Sequence, residues 1–160
     1  MYLKIAKIYG KKYCKEWWKI DQNLKRSIIL DNYQNPYNKD VSEVDGYIKI
    51  NTNNESCIDN LDIYVKLSDD VIEDVKFDGE ACVICISSTS IMIRKLIGKT
   101  MEEAKEIINN YLKMIEEEEY NEELLGELNV YNDLYKQPSR KKCATLSTFG
   151  IDKVINNCKK

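Results

Sequence analysis

Residues 61–78, LDIYVKLSDDVIEDVKFD, decide the fold of this chain. From Leu61 to Leu67 apolar residues alternate with polar ones, which is the period of a β-strand with one buried face. The Ser68-Asp69-Asp70 turn follows, and Val71–Asp78 alternates again, so the stretch predicts an antiparallel hairpin. Gly46–Asn51 has a similar pattern just upstream and is expected to add the third strand of a meander.

Helical patterns flank these strands on both sides. Asn23–Tyr33 has apolar residues near helical spacing, with Asn23 as its candidate N-cap. Downstream we predict four further helices: Ile84–Ile97 before Gly98, Thr100 (opening a capping box with Glu103) to about Glu118, Leu124–Tyr135, and Ala144–Ile155. Strands first and helices after favour an α+β fold, in which helices pack on one face of a small three-stranded antiparallel sheet.

The chain length of 160 residues fits one domain. Residues 1–22 are predicted to be an N-terminal extension, and residues 23–160 a single domain. In the extension, Trp17, Trp18 and other apolar residues alternate with lysines and could form an amphipathic helix. Such a helix would pack on the domain or serve as an arm that docks a partner.

Charge and hydropathy exclude several classes of function. The net charge is −3, so no basic excess exists to bind nucleic acid or an anionic membrane. The longest stretch without charge, Ala81–Ile93, is too short to span a bilayer. Lysines interrupt the first twenty residues, which argues against a signal peptide. We therefore expect a cytoplasmic protein.

The chain has six cysteines and no histidine. In a reducing compartment the cysteines stay unpaired, and they are read as metal ligands, nucleophiles or small core residues. The absence of histidine excludes Ser-His-Asp triads, Cys-His pairs and zincin motifs within this chain. A soft-metal site made by this chain must therefore use thiolates, with Asp or Glu as further ligands.

Three cysteines are predicted at the ends of elements, where ligands and nucleophiles are usually displayed. Cys57 lies in a polar loop with Asp59 two residues later, so a turn can point both side chains into one space. Cys82 and Cys143 are each predicted near a helix N-terminus, where the helix dipole favours the thiolate. Three thiolates and one carboxylate suit a tetrahedral Zn²⁺, and they also suit iron or an Fe–S cluster with one oxygen ligand.

The remaining cysteines carry weaker signals. Cys82-x-x-Cys85 has the spacing of a redox or metal pair, but the helical phase after Cys82 favours Cys85 as a small buried residue. Cys14 and Cys158 lie near the chain ends and are expected to be free thiols.

Five segments in a fixed order carry a family resemblance. They are Asn35-Pro36-Tyr37-Asn38, the strand-forming Cys57–Leu67, Phe77–Ser90 around Cys82, Gly98–Ala104, and Lys142–Ser147 around Cys143. Together they resemble the U-type iron–sulfur cluster assembly scaffold family, the IscU and NifU N-terminal type, over roughly residues 24 to 155.

Three features make the SufU subtype the best match within that family. Cys143 lies 61 positions after Cys82 (143 − 82), a longer spacing than IscU-type proteins have. Lys142 stands where IscU-type proteins carry histidine before the third cysteine, and the Leu-Pro-Pro-Val-Lys chaperone motif is missing.

The resemblance implies a site and a reaction. It implies that Cys57, Asp59, Cys82 and Cys143 hold one Zn²⁺, and that Cys57 accepts persulfide sulfur from a SufS-type cysteine desulfurase. The protein would then be an accessory factor rather than a stand-alone enzyme, with apo iron–sulfur proteins or other assembly factors as further partners. Arg140 matches a family arginine and would pair with Asp59 or dock the desulfurase, with an ordinary surface arginine as the alternative.

Two alternatives stay open beside sulfur transfer. One is a scaffold that assembles and delivers a transient [2Fe–2S] cluster, and the other is a structural zinc domain. The chain also departs from the family pattern near the site. Glu55-Ser56 replaces Pro-Thr, Ile58 replaces Gly, and Ala81 replaces Gly before Cys82. Because a β-branched residue disfavours a positive φ, the loop at Ile58 is expected to have a different shape.

Overall fold

The alternating segments form the predicted antiparallel sheet, with strand order β1-β2-β3. The structure is a computed structural model that describes residues 20–158. Across the sheet, Ile50 lies opposite Ile63, and Ile63 lies opposite Phe77. The strands are β1 (Ile48–Asn53), β2 (Asn60–Ser68) and β3 (Val71–Glu80).

Helices account for most of the remaining residues. Asp21, rather than the predicted Asn23, is the N-cap of the first helix, and its side chain accepts a hydrogen bond from Leu24 N. The capping box of Thr100 and Glu103 is present as predicted. The helices are α1 (Gln22–Gln34), α2 (Val83–Leu96), α3 (Met101–Ile115), α4 (Glu122–Leu125) and α5 (Pro138–Asn157), with 3₁₀ turns at Gly126–Tyr131 and Leu134–Lys136.

The last two predicted helices differ from the observed elements. The continuous helix expected over Leu124–Tyr135 is broken after one turn, because Gly126 adopts a positive φ of 53° that an α-helix excludes. The final helix begins at Pro138, six residues before the predicted Ala144. Proline fits the first helical position, since its missing N–H would have no partner within the helix there.

The core lies between the sheet and the helices. Leu61, Ile63 and Val65 on one face of β2 are fully buried, whereas the alternate residues of that strand are partly exposed. Helix α5 lies close against this sheet. At Gly150 the two come so near that a Cβ added to this residue would stand 2.6 Å from Cγ2 of Thr52 in β1. The predicted α+β fold, with helices on one face of a three-stranded sheet, is thereby confirmed.

Most of the predicted N-terminal extension lies outside the part of the chain that the structure describes. Its residues 1–19, with Cys14, Trp17 and Trp18, lie outside the described residues. Ile20 is buried in the core of the domain. The division into an extension at 1–22 and a domain at 23–160 stays a prediction. Within residues 20–158, every helix is too short or too polar to cross a bilayer.

Candidate metal centre

A closed loop between β1 and β2 holds Cys57 and Asp59. Asn54 N donates to Asp59 O at 2.9 Å, and Cys57 N donates to Asn54 O at 3.0 Å. These two backbone hydrogen bonds fold residues 54–59 back on themselves before β2 begins. As a result Asp59 is buried, while Cys57 is half-buried at the edge of the loop.

Cys82 joins this loop from the end of β3. It is the N-cap of α2, with an extended backbone, as its predicted place at a strand–helix junction requires. The backbone N–H of Cys82 donates to Asp59 Oδ1 at 2.8 Å. The aspartate that lies beside the first cysteine in sequence therefore also fixes the position of the second.

Cys143 approaches from α5. It is buried at 1% exposure, and Asn54 Nδ2 donates to its Sγ at 3.8 Å. The prediction that Cys143 lies at a helix N-terminus is wrong, because α5 starts at Pro138 and places Cys143 in its second turn. The dipole effect falls off within the first turn, so it gives Cys143 little support as a thiolate.

The four predicted ligands meet at one point. One ligand atom each from Cys57, Asp59, Cys82 and Cys143 lies within 4.8 Å of all the others. Asp59 Oδ2 is buried and has no hydrogen-bond partner within the described part of the chain. A buried carboxylate oxygen without a partner is costly, and a cation among the four ligand atoms would satisfy it. The donor set and this oxygen fit a tetrahedral Zn²⁺.

Burial and hydrogen bonds set the protonation of the site. Burial acts to raise the pKa of Asp59, but the hydrogen bond from Cys82 N and the closeness of the thiols of Cys143, Cys82 and Cys57 outweigh it, so the net pKa is lowered. Burial raises the pKa of Cys82 and that of Cys143, and at Cys143 the neighbouring Asp59 and Cys82 raise it further. At Cys82 the backbone N–H of Cys85 lowers the pKa, as expected at a helix N-terminus, but burial outweighs it.

Two further cysteines lie outside the ligand set. Cys85 is fully buried, and burial raises its pKa well above the ordinary value of 9.0. It is a core residue, as its helical phase predicted. Cys158 is an exposed free thiol at the end of α5, also as predicted.

The structure does not bring Arg140 to Asp59. Arg140 is exposed in the first turn of α5 and forms no ion pair among residues 20–158. Pairing with Asp59 is absent here, and a docking role for Arg140 stays a prediction.

The departures from the family pattern are accommodated locally. Among the described non-glycine residues, positive φ angles occur at Asn38, Asp69 and Glu117, and so not at Ile58. Ile58 follows Cys57 with its side chain 70% exposed. Ala81 is buried just before Cys82. The loop thus keeps both ligands in place with an isoleucine where the family has glycine.

An open groove of about 530 Å³ runs beside the Cys57 loop. One wall is the stretch from Asn53 to Ser56, and the other is α5 with Lys142, Leu146 and Phe149. The phenyl ring of Phe149 is 56% exposed. The groove therefore lies next to the loop that carries Cys57, and Leu146 and Phe149 give it apolar surface.

Asn54 is the site residue that sequence reasoning missed. It is 7% exposed, and its Oδ1 accepts a hydrogen bond from Ser56 N at 3.1 Å. The signal that could have revealed it is the Asn-x-Ser spacing, since Asn side chains often cap the backbone two residues later.

Comparison with known proteins gives a consistent set of relatives. The family model for the NifU-like N-terminal domain matches residues 24–144. The chain is 37% identical to the zinc-dependent sulfurtransferase SufU of Bacillus subtilis, over 82% of this chain and 89% of that protein. It is 31% identical to the iron–sulfur cluster assembly scaffold protein IscU of Streptococcus pyogenes, over 83% of each.

A solved structure agrees with these sequence matches. The crystal structure of a candidate iron–sulfur cluster assembly scaffold protein for the SUF system, from Fervidobacterium islandicum, superposes with a TM-score of 0.69 at 31% identity. The match covers 78% of this chain and 91% of that one.

Proposed function

We propose, since this chain belongs to the family of NifU-like N-terminal domains, that it works in iron–sulfur cluster assembly as a zinc-dependent sulfur acceptor. In this proposal a SufS-type cysteine desulfurase supplies persulfide sulfur, and Cys57 receives it. Apo iron–sulfur proteins or other assembly factors would take the sulfur onward, in the cytoplasm.

The observation that carries the proposal is the convergence of one ligand atom each from three cysteines and Asp59 within 4.8 Å. Asp59 also has a buried oxygen without a hydrogen-bond partner among the described residues, and the chain has no histidine. The relative named for zinc-dependent sulfur transfer matches across most of the chain, which supports the same activity here. Cys57, Asp59, Cys82 and Cys143 would hold the metal. Bound zinc would keep the thiols of Cys82 and Cys143 deprotonated at neutral pH against the burial that raises their pKa.

Cys57 suits the acceptor role because of where the fold puts it. Cys143 is buried within a helix and Cys82 caps one, whereas Cys57 lies in a loop beside the open groove. Its thiolate would attack the outer sulfur of the donor persulfide. The donor S–S bond breaks, a new S–S bond forms on Cys57, and the donor cysteine leaves as a thiolate, so electrons and atoms balance without an added oxidant.

The surface around Cys57 also fits a protein donor. Ile58, next to Cys57, exposes an apolar side chain, and Phe149 does so on the wall of the neighbouring groove. Arg140 is an exposed residue at the start of α5. We propose that Arg140 contacts the desulfurase rather than Asp59.

A second function has its own support. Relatives named as cluster assembly scaffolds match the chain, including IscU of Streptococcus pyogenes. Three cysteines and an aspartate can also ligate a [2Fe–2S] cluster, so a transient scaffold is the alternative. A structural zinc domain would use the same ligands but would have no effect on a desulfurase.

Desulfurase turnover tests the proposal directly. We expect zinc-loaded wild-type protein to accelerate alanine release by a SufS-type desulfurase, and Cys57→Ala to abolish that acceleration. Cys158→Ala is the matched control, because it removes an exposed thiol far along α5 from the ligand set and should leave the acceleration intact. Circular dichroism would confirm that each variant is folded.

The outcomes separate the three functions. Acceleration that survives in Cys57→Ala would overturn the acceptor role of this residue. Protein that carries iron and sulfide with visible charge-transfer absorption, and that does not accelerate the desulfurase, would favour the scaffold. Tightly bound zinc without any acceleration would leave only the structural domain.

A further inference from the structure

Asn54 makes a hydrogen bond through each of its four polar groups. Its backbone N–H donates to Asp59 O, and its carbonyl accepts from Cys57 N. Its side-chain Oδ1 accepts from Ser56 N, and its Nδ2 donates to Cys143 Sγ. Asn54 therefore connects the two ligands of the loop to the ligand on α5.

We infer that Asn54 is a positioning residue of the metal centre, which holds Cys143 against the Cys57 loop through its carboxamide. The inference rests on the proposed function in one respect, since it takes the four-residue cluster to be a metal site. It goes beyond that function because Asn54 is not a ligand and reacts with nothing.

The hydrogen bond from Asn54 Nδ2 to Cys143 Sγ would stabilise the charged, metal-bound form of the site. Four anionic ligands carry more negative charge than one divalent cation offsets, so an N–H directed at a thiolate sulfur reduces the excess. Hydrogen bonds to ligand atoms also fix ligand orientation, and losing such an outer partner typically weakens metal binding by about 10–100-fold. Asn54 is buried, so water does not readily replace its amide.

The hydrogen bond also makes the cysteines unequal. Cys143 Sγ accepts a hydrogen bond from a buried amide, whereas within residues 20–158 the described side chains donate none to Cys57 Sγ. If Cys57 must leave the metal to accept sulfur, Cys143 has to stay. The Asn54 amide favours that outcome by holding Cys143 Sγ in the buried part of the site.

Two substitutions at Asn54 would remove the N–H that donates to Cys143 Sγ but keep an acceptor for Ser56 N. Asn54→Asp is isosteric and Asn54→Ser is short, and both keep an oxygen that can accept from Ser56 N. Neither can supply the N–H to Cys143 Sγ. Asn53→Asp and Asn53→Ser make the same changes at the neighbouring exposed residue and serve as controls.

The main measurement is zinc affinity, obtained by competition with a chelator of known affinity. We expect both Asn54 variants to bind zinc about 10–100-fold more weakly than wild type, with both Asn53 variants unchanged. The cobalt-substituted protein gives an independent signal, because its thiolate-to-metal charge-transfer band reports on sulfur bonding. This band should shift in the Asn54 variants alone, while the metal-free proteins unfold at similar temperatures.

Alkylation of the zinc-loaded protein adds a site-resolved test. Peptide mass spectrometry after limited iodoacetamide treatment should find Cys57 modified before Cys143 in wild type. In Asn54→Ser the protection of Cys143 should fall toward that of Cys57. The Asn53→Ser control should keep the wild-type order.

Wild-type zinc affinity and cobalt spectra in both Asn54 variants would overturn the inference. So would weaker zinc binding that is matched by an equal loss of stability in the metal-free protein with an unchanged cobalt spectrum, since Asn54 would then act in folding alone. If zinc affinity depends on Asn54 as expected but the wild-type protein fails to accelerate a desulfurase, the proposed function is refuted and the inference about Asn54 stands.

Discussion

At the scale of single residues, the two oxygens of the candidate ligand Asp59 have different surroundings. One oxygen of its carboxylate, Oδ1, accepts from Cys82 N, and the other, Oδ2, has no hydrogen-bond partner among the described residues. The first oxygen positions a neighbouring ligand, and the second is left for the metal. Burying a carboxylate oxygen without a hydrogen-bond partner costs folding free energy, and a bound metal would offset that cost.

Asp59→Asn should separate these two roles. The asparagine Oδ1 can still accept from Cys82 N, so we expect the metal-free protein to fold, with little change in its unfolding temperature. Zinc affinity should fall by at least the roughly 10–100-fold that loss of an outer partner costs, because a charged ligand is removed. Chelator competition measures this loss. Asp62→Asn, a carboxylate near the surface of β2, is the control, and equal zinc affinity in both variants would contradict the assignment.

The sequence indicates which residues are candidate ligands but not how they are held. The predicted positions of Cys57, Cys82 and Cys143 at element ends and the family resemblance point to the set with Asp59, and the structure brings the four residues together. The role of Asn54 could not be predicted, because it depends on a hydrogen bond to Cys143, 89 residues later. The protonation of the thiols could not be predicted either, since burial outweighs the helix dipole and burial is a property of the folded chain.

At the scale of elements, the junction of β3 and α2 depends on Gly79. This residue pairs with Leu61 and has φ of 131°, a conformation that side chains rarely adopt. A Cβ there would lie 2.2 Å from Asn60 O, the residue after the ligand Asp59. The strand that presents Cys82 can therefore approach the strand that follows Asp59 only because the side chain is absent.

Gly79→Ala should destabilise the fold and disturb the site together. Backbone strain contributes roughly 1–3 kcal/mol, and the clash with Asn60 O adds roughly 1–3 kcal/mol of overpacking. Gly46→Ala is the control, because φ there is 80° but nothing lies within 4 Å of the added Cβ. Thermal unfolding and zinc competition should both show the larger loss in Gly79→Ala. Equal losses in the two variants would show that the close approach has no consequence.

Elements that short-range sequence patterns specify could be predicted. Elements that end or begin at one residue with an unusual backbone conformation could not. The alternation of β2 and β3 and the capping box of α3 specify their own structure, and all three are present. The stretch 124–135 has helical composition, yet the positive φ of Gly126 ends α4 after one turn. In the sequence, Pro138 could mark either the end of one helix or the start of the next. In the structure it is the first residue of α5.

At the scale of the whole molecule, the metal centre joins distant parts of the chain. Its ligands come from the β1–β2 loop, the β3–α2 junction and α5, which lies against the sheet. A metal bound there would cross-link elements that contribute residues from position 57 to position 143. Anything that binds the folded state and not the unfolded one raises stability by mass action.

Zinc should therefore stabilise the protein, and more so as pH rises. At about 100 times its Kd, a ligand adds about 2.7 kcal/mol, which corresponds to about 5–10 °C in unfolding temperature for a chain of this size. The pH dependence follows from Cys82 and Cys143. Burial raises both pKa values above the ordinary 9.0, so zinc must displace protons that the metal-free site holds at pH 6 to 8.

In that pH window the thiols do not change the stability of the metal-free protein. A pKa that is raised on folding contributes stability that is fully present below the unfolded value of about 9 and is lost only as pH rises above it. Any increase in the zinc-induced shift from pH 6 to pH 8 therefore reports on metal binding. Calorimetry at fixed free zinc would measure the shift, and Cys143→Ser should reduce it at every pH while Cys158→Ser should not. A shift that is equal at pH 6 and pH 8, or that persists in Cys143→Ser, would mean that zinc binds elsewhere, because buried thiols that ligate it must first lose their protons.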